Sequence, residues 1–198
     1  MAGESSVRRG RRRLLCMSRA EWAGALAAEL LSELPGRWLH TEGVVDRARR
    51  VGEVMPADEA DVLIAASYLH DIGYVPALMR TGFHPVDGAM HLHELGEERL
   101  AGLVAYHSGA EAEAGLRGLG DQLGQFQRER SEVADALTYC DVTTAPDGSV
   151  IDLEDRFADV EHRRDADDPV VVALRLARPE IERAVDAIEA LLMRPRRL

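Results

Sequence analysis

His70 and Asp71 close an apolar run, Val62-Leu63-Ile64-Ala65-Ala66-Ser67-Tyr68-Leu69, and Ile72-Gly73 follow at once. Such a run favours a buried helix, so it carries an imidazole and a carboxylate into the interior. An ionised carboxylate there is costly unless it is paired or binds metal. The simplest account is that His70 pairs with Asp71 or caps the helix end. Against it stand His40 upstream and His84, His107 and Asp141 downstream, each at or near a helix edge. Imidazole nitrogens and carboxylate oxygens are natural ligands for Fe, Mn, Co, Ni or Zn. His40, His70, Asp71 and Asp141 suffice for one ion with open positions. His84 and His107 complete a second, with Asp71 bridging the pair.

Other readings exist for several of these residues. His84 before Pro85 also reads as a helix cap, and His107 as a partner of its helix dipole. Asp87 either orients His84 or favours the start of its helix. His91 and His93 read as solvated, and His162 as surface. Cys140 beside Asp141 reads as a buried, inert thiol.

The elements that must position these side chains are helical. Trp22, Leu26, Leu30 and Leu31 recur at helical spacing, predicting a helix over residues 18 to about 34 that Pro35-Gly36 ends. Ser18 and Glu21 form a capping box at its start. A second helix is expected over about 38 to 54, with His40 in its first turn, and the buried third from Asp58 to His70-Asp71. Gly73, Pro76 and Gly82 mark a loop. Pro85 opens a fourth helix ending near Gly96, and a fifth covers 97 to 106. Residues 109 to 127 read as a glycine-rich, variable loop with partial helix. Helices follow over 129 to about 142, 153 to 162, and 168 to about 193, with an irregularity at Pro179. The fold class is therefore all-α.

Bulk composition agrees with that picture. The chain has 198 residues, 46% hydrophobic and 30% charged, enough for one real core. Aromatics at 5% leave Leu, Val and Ala to build that core. The net charge of −11 argues against nucleic-acid binding, which needs a cationic footprint. It leaves room for a small anionic substrate, because bound cations invert the local field. No run reaches the roughly 18 apolar residues that span a bilayer. Cys16 and Cys140 suggest no disulfide framework, and a cytoplasmic location is expected. The basic residues before Met17 read as a disordered extension, leaving 18–198 as one helical domain.

The order His40, His70-Asp71, Asp141 on successive helices resembles the HD superfamily of metal-dependent phosphohydrolases. His70-Asp71-Ile72-Gly73 spells its HDIG variant. His84 and His107 fall where the six-ligand, two-metal branch places additional histidines. Ser108 stands where a second His often follows, and no Gly-Tyr-Pro follows the pair, unlike the cyclic-di-GMP phosphodiesterases. The resemblance covers about 38 to 147, with the C-terminal helices as an extension.

The resemblance implies a fold, a helical bundle, and an activity. Water activated by one or two divalent ions attacks phosphorus, Asp71 and His70 being central to catalysis. It implies His40, His70, Asp71 and Asp141 around one ion and His84 and His107 around the other. Tyr74 replaces a Lys common after the glycine, so Arg80, with Arg156 second, becomes the expected phosphate contact beside Tyr74. The expected partner is a small phosphorylated substrate, a nucleotide or dinucleoside polyphosphate. A di-iron oxygenase and a non-catalytic ligand sensor are the alternatives. Metal identity and oligomeric state, a homodimer included, stay open.

Overall fold

The computed structural model describes residues 17–194. The basic N-terminal run, Cys16 and the extension assigned to them lie outside the described residues. Helix α1 (Arg19–Leu30) opens on the expected capping box: Ser18 Oγ accepts from Glu21 N at 3.1 Å, and Ser18 N donates to Glu21 Oε2 at 2.8 Å. Helix α2 (Pro35–Gly52) begins earlier than expected. Pro35 occupies its first turn, where a missing N–H costs nothing, so it starts this helix rather than merely ending α1. His40 consequently lies in the second turn of α2, not the first.

Helix α3 (Ala57–Leu69) is central, packing against α1, α2 and two later helices, α5 (Glu98–Tyr106) and α8 (Glu132–Val142). Being covered on several sides explains why its sequence is apolar nearly all round. Val62, Leu63, Ala65, Ala66 and Leu69 are all buried there. After α3 come two short 3-10 turns, Ile72–Tyr74 and Pro76–Leu78, and then α4 (His84–Glu94).

The stretch read as a glycine-rich loop instead forms α6 (Ala110–Arg117) and α7 (Gly120–Leu123). Its buried face consists of Ala110 and Ala114, too small to give a visible apolar period, and α6 is held by packing on the last helix of the chain. Helices α9 (Leu153–His162) and α10 (Pro169–Leu192) complete the chain. Helix α10 continues through Pro179; Val171, Ala177, Ile181, Val185 and Ile188 bury one face of it against α6 and α8. That packing offsets the hydrogen bond a proline removes, a loss of about 3 kcal/mol in an exposed helix.

One isolated antiparallel bridge, Thr144 to Val150, is the extent of β pairing among the described residues. The fold is all-α. No described helix is long and apolar enough to cross a membrane.

Two close approaches set up the interior. A Cβ on Gly73 would lie 2.0 Å from the His84 carbonyl oxygen and 2.7 Å from Gly88 N. Only glycine lets the turn after Asp71 lie directly on the start of α4. A Cβ on Gly43 would meet the Gly148 carbonyl oxygen at 2.3 Å. That contact draws the loop after α8 onto α2.

Candidate metal centre

Five helices bring side chains to one point. Helix α3 delivers His70 and Asp71 at its C-terminus, α2 delivers His40, and α8 delivers Asp141 in its last turn. His84 is the first residue of α4, and His107 follows the last residue of α5. His40, His70, Asp71, His107 and Asp141 are buried, and His84 is partly so.

Backbone carbonyls fix three of the imidazoles. His70 Nδ1 donates to Ser67 O at 2.7 Å, His107 Nδ1 to Val104 O at 2.6 Å, and His40 Nδ1 to Ala145 O at 3.1 Å. Each ring thereby presents its Nε2 inward. The Ala145 contact depends on the loop that Gly43 and Gly148 bring close.

His40 Nε2 lies 3.0 Å from Asp141 Oδ1, and His70 Nε2 lies 3.9 Å from the same oxygen. Asp71 Oδ2 is 3.7 Å from His70 Nε2, while Asp71 Oδ1 is 3.4 Å from His84 Nε2. His84 and His107 face each other, Nε2 to Nε2, at 3.4 Å. Two sets of donor atoms result, each mutually within 4.8 Å: His40, His70 and Asp71, and Asp71, His84 and His107. Asp71 belongs to both.

His70, His84 and the two carboxylates are held in the states a ligand shell needs, neutral imidazole and ionised carboxylate, while His40 is held toward its charged form until an ion displaces its proton. Burial works against the charge on Asp71, yet His70, His84 and Arg37 hold its carboxyl well below the usual range. Asp141 is held low against burial by its hydrogen bond from His40 and the charge of His70. Burial depresses His70 and takes His84 down to about 3. His40 is raised: burial opposes its charge, but the hydrogen bond and charge of Asp141 outweigh that.

The donor set fits a cation on a further observation. His70 Nε2 is fully buried with no hydrogen-bond partner. An unsatisfied buried polar atom costs about 1–3 kcal/mol, and an ion between His70, His40 and the carboxylates would remove that cost.

Two contributors escaped the sequence reading. Arg37, three residues before His40 on α2, donates from Nη1 to Asp71 Oδ2 at 3.0 Å. Its guanidinium carbon sits 3.9 Å from the centre of the Tyr74 ring, which stacks at 4.1 Å and 15° on His84. Recognising Pro35 as the first residue of α2 would have placed Arg37 and His40 on one helical face. Ser108 is the other: its Oγ donates to Asp141 Oδ2 at 2.5 Å. Nothing short of the tertiary fold joins those two.

Tyr74 and Arg156 both line the cavity of about 290 Å³ that opens onto the cluster. Arg80 does not. It is turned away, half exposed, with Nη1 2.6 Å from Glu94 Oε1, and borders a separate cavity. The expectation of a phosphate contact at Arg80 is thus corrected; Glu94, one α4 face away, takes its charge. Asp87 does not orient His84 either. It accepts from Thr81 N, Thr81 Oγ1 and Gly82 N, pinning the loop before α4. His93 pairs with Glu98 in solvent, and Cys140 is buried in the core, its thiol pushed up by burial.

The model of the HD domain family matches residues 37–167. No curated protein and no solved structure matches the chain.

Proposed function

Because the chain belongs to the HD domain family, we propose that it is a metal-dependent phosphohydrolase of the HDIG, six-ligand kind, acting on a small phosphorylated substrate such as a nucleotide. The observation that carries this reading is Asp71, shared between two clusters of donor atoms at the inner end of a cavity that also holds an arginine. His40, His70, Asp71 and Asp141 would hold one divalent ion, and Asp71, His84 and His107 a second. Ions bound there supply Lewis acidity toward phosphoryl oxygens and make a water acidic enough to act as nucleophile near neutral pH.

The chain's own residues do the rest. Asp71 stays ionised and turns one oxygen toward each histidine group, so it is the centre about which the nucleophile is oriented. Arg37 spends Nη1 on Asp71 and keeps further donors for a phosphate oxygen at the cavity floor, a contact a planar fork makes well. Tyr74, held between Arg37 and His84, fixes both planes. Burial and the negative charge of Asp71 keep its hydroxyl protonated. The cavity volume, at the small end for ligand sites, favours a mononucleotide over a whole dinucleoside polyphosphate. Residues 18–194 serve as one domain, with α9 and α10 walling the cavity's outer side.

Full-length protein reconstituted with Mn, Fe, Co, Ni or Mg tests this against a panel of nucleotides and p-nitrophenyl phosphate. Expected is ion-dependent phosphate release under strict anaerobiosis, lost in Asp71→Ala with helicity retained by circular dichroism. Turnover that requires Fe and dioxygen, or full activity in Asp71→Ala, overturns it.

A further inference from the structure

Resting on the hydrolase reading, we infer that the outer wall of the same cavity is a second anion subsite, made by Arg117, Arg156 and Arg164, and that the substrate carries at least two phosphoryl groups.

The whole chain is acidic, at −11, yet this cavity is lined by Arg37, Arg117, Arg156 and Arg164 against Asp71, Asp141 and Glu113. Glu113 is taken up by Arg117, and the other two acids lie apart from the outer arginines. Asp71 and Asp141 stand at the inner end, and the arginine acting on Asp71 is Arg37. Arg117 and Arg164 both act on Asp168, so those two guanidiniums are neighbours at the outer end. They reach it from different elements, Arg117 from α6 and Arg164 from the segment after α9, while Arg156 comes from α9 itself.

Arg117 gives Nε and Nη2 to Glu113 Oε1 at 2.7 and 2.6 Å, an acid that also lines the cavity, whereas the acids beside Arg164 and Arg156 leave most of their donors free. Arg164 Nη1 meets Asp168 Oδ2 at 3.1 Å, and Arg156 Nη1 lies 3.9 Å from Asp159 Oδ2. Neither Asp159 nor Asp168 lines the cavity. These acids hold the side chains from behind. Arg156 is the sharper case. Its side chain is only 22% exposed, and it makes no hydrogen bond among the described residues. With Asp159 beyond hydrogen-bond distance, its five donors stay open to an anion entering the cavity.

The wall between inner and outer ends is apolar. Phe83, Phe157, Val160 and Leu174 line it, and Arg117 has its guanidinium carbon 5.6 Å from the Phe83 ring centre. Low-polarity surroundings strengthen charge pairing over what water allows. Guanidinium forks suit phosphate oxygens, which they contact in pairs. A substrate with one phosphoryl group at the histidine cluster and another on the outer arginines fits this division of charge.

The test is calorimetric titration of the full chain, freed of metal so that the probe cannot sequester an ion. The probes are inorganic tripolyphosphate and orthophosphate. Tripolyphosphate should bind the unaltered protein at least about tenfold more tightly than orthophosphate, the worth of one good charge-assisted contact. The double variant Arg156→Gln/Arg164→Gln should lose that preference, and Arg156→Lys, which keeps charge but not the fork, should keep part of it. Equal binding of the two probes, or a preference that survives the double variant, overturns the subsite. Manganese-dependent hydrolysis of p-nitrophenyl phosphate by the unaltered protein reports on the hydrolase reading separately. Turnover without a probe preference removes the subsite alone; a preference without turnover leaves the subsite and removes the hydrolase.

Discussion

Ser108 Oγ donates to Asp141 Oδ2 at 2.5 Å from a backbone at φ 51°, the one non-glycine residue with positive φ among those described. Its N–H is held by Thr138 Oγ1 at 3.3 Å. Left-handed backbone costs a non-glycine residue about 1–2 kcal/mol, so the hydroxyl's task must offset that strain. By occupying Oδ2 it leaves Oδ1 for His40 and His70, and it follows His107 directly in the chain. One residue thus ties the two histidine groups together.

Two variants separate strain from hydroxyl. Ser108→Gly deletes the hydroxyl but relaxes the backbone; Ser108→Ala deletes the hydroxyl and keeps the strain. Both should weaken metal binding by about tenfold or more, as loss of a group that orients a ligand does. In the metal-free protein Ser108→Ala should be the less stable by about 1 kcal/mol. Calorimetric metal titration and denaturant unfolding measure the two effects. Undiminished metal affinity in Ser108→Gly would deny the hydroxyl its role.

Gly73→Ala forces a methyl to within 2.0 Å of the His84 carbonyl oxygen, a backbone atom that cannot swing aside. The turn must lift off α4, parting Asp71 from His84. The expected destabilisation is about 1–3 kcal/mol, the range for overpacking, with metal stoichiometry falling from two ions to one. Elemental analysis after dialysis decides; two tightly held ions in this variant would break the link between the close approach and the second cluster.

Arg37→Ala removes a cation that competes for Asp71. Metal affinity should hold or rise, while KM for a phosphate ester climbs roughly tenfold through loss of a charge-assisted contact. Opposite movement of the two quantities is the signature. Steady-state kinetics at saturating metal, beside a metal titration, would show it, and a KM left unchanged would remove Arg37 from substrate binding.

Metal-free stability should depend on pH in two directions. His70 and His84 are held low in the folded state, His84 to about 3, whereas an unfolded imidazole titrates near 6.5. Their stabilising effect is full above the unfolded value and is lost as pH falls below it. Asp71 and Asp141, also held low, add a further loss as acid protonates them, below about pH 4. His40 is raised, so its contribution is full below about 6.5 and fades as pH climbs through its folded value. Stability should therefore peak near neutrality and fall steeply toward pH 4. Urea midpoints across pH 4–9 check this, and His84→Gln should flatten the acid limb. An acid limb unchanged in that variant would contradict the assignment.

The sequence by itself determined the helical class and the presence of a histidine–aspartate cluster. An apolar run ending in His70-Asp71 leaves little choice, because burial of both groups demands partners, and His84, His107 and Asp141 fall at helix edges where backbone direction changes, with His40 one turn into its helix. Local chemistry likewise placed the Ser18 cap and a helix start at Pro85, within a residue of the observed His84. What lay beyond it was direction. Arg80 and Arg37 are the same residue type near the same site, yet one turns to Glu94 and the other to Asp71, because Asp87 pins the loop that carries Arg80 and α2 aims Arg37 inward. Helix α6 was hidden because alanines on its buried face give no period until α10 covers them. Ser108 found Asp141 only through the packing of the turn after α5 against α8, a contact across 33 residues that no spacing encodes. Periodicity fixes which face of an element is buried; only the packed chain decides which side chains meet.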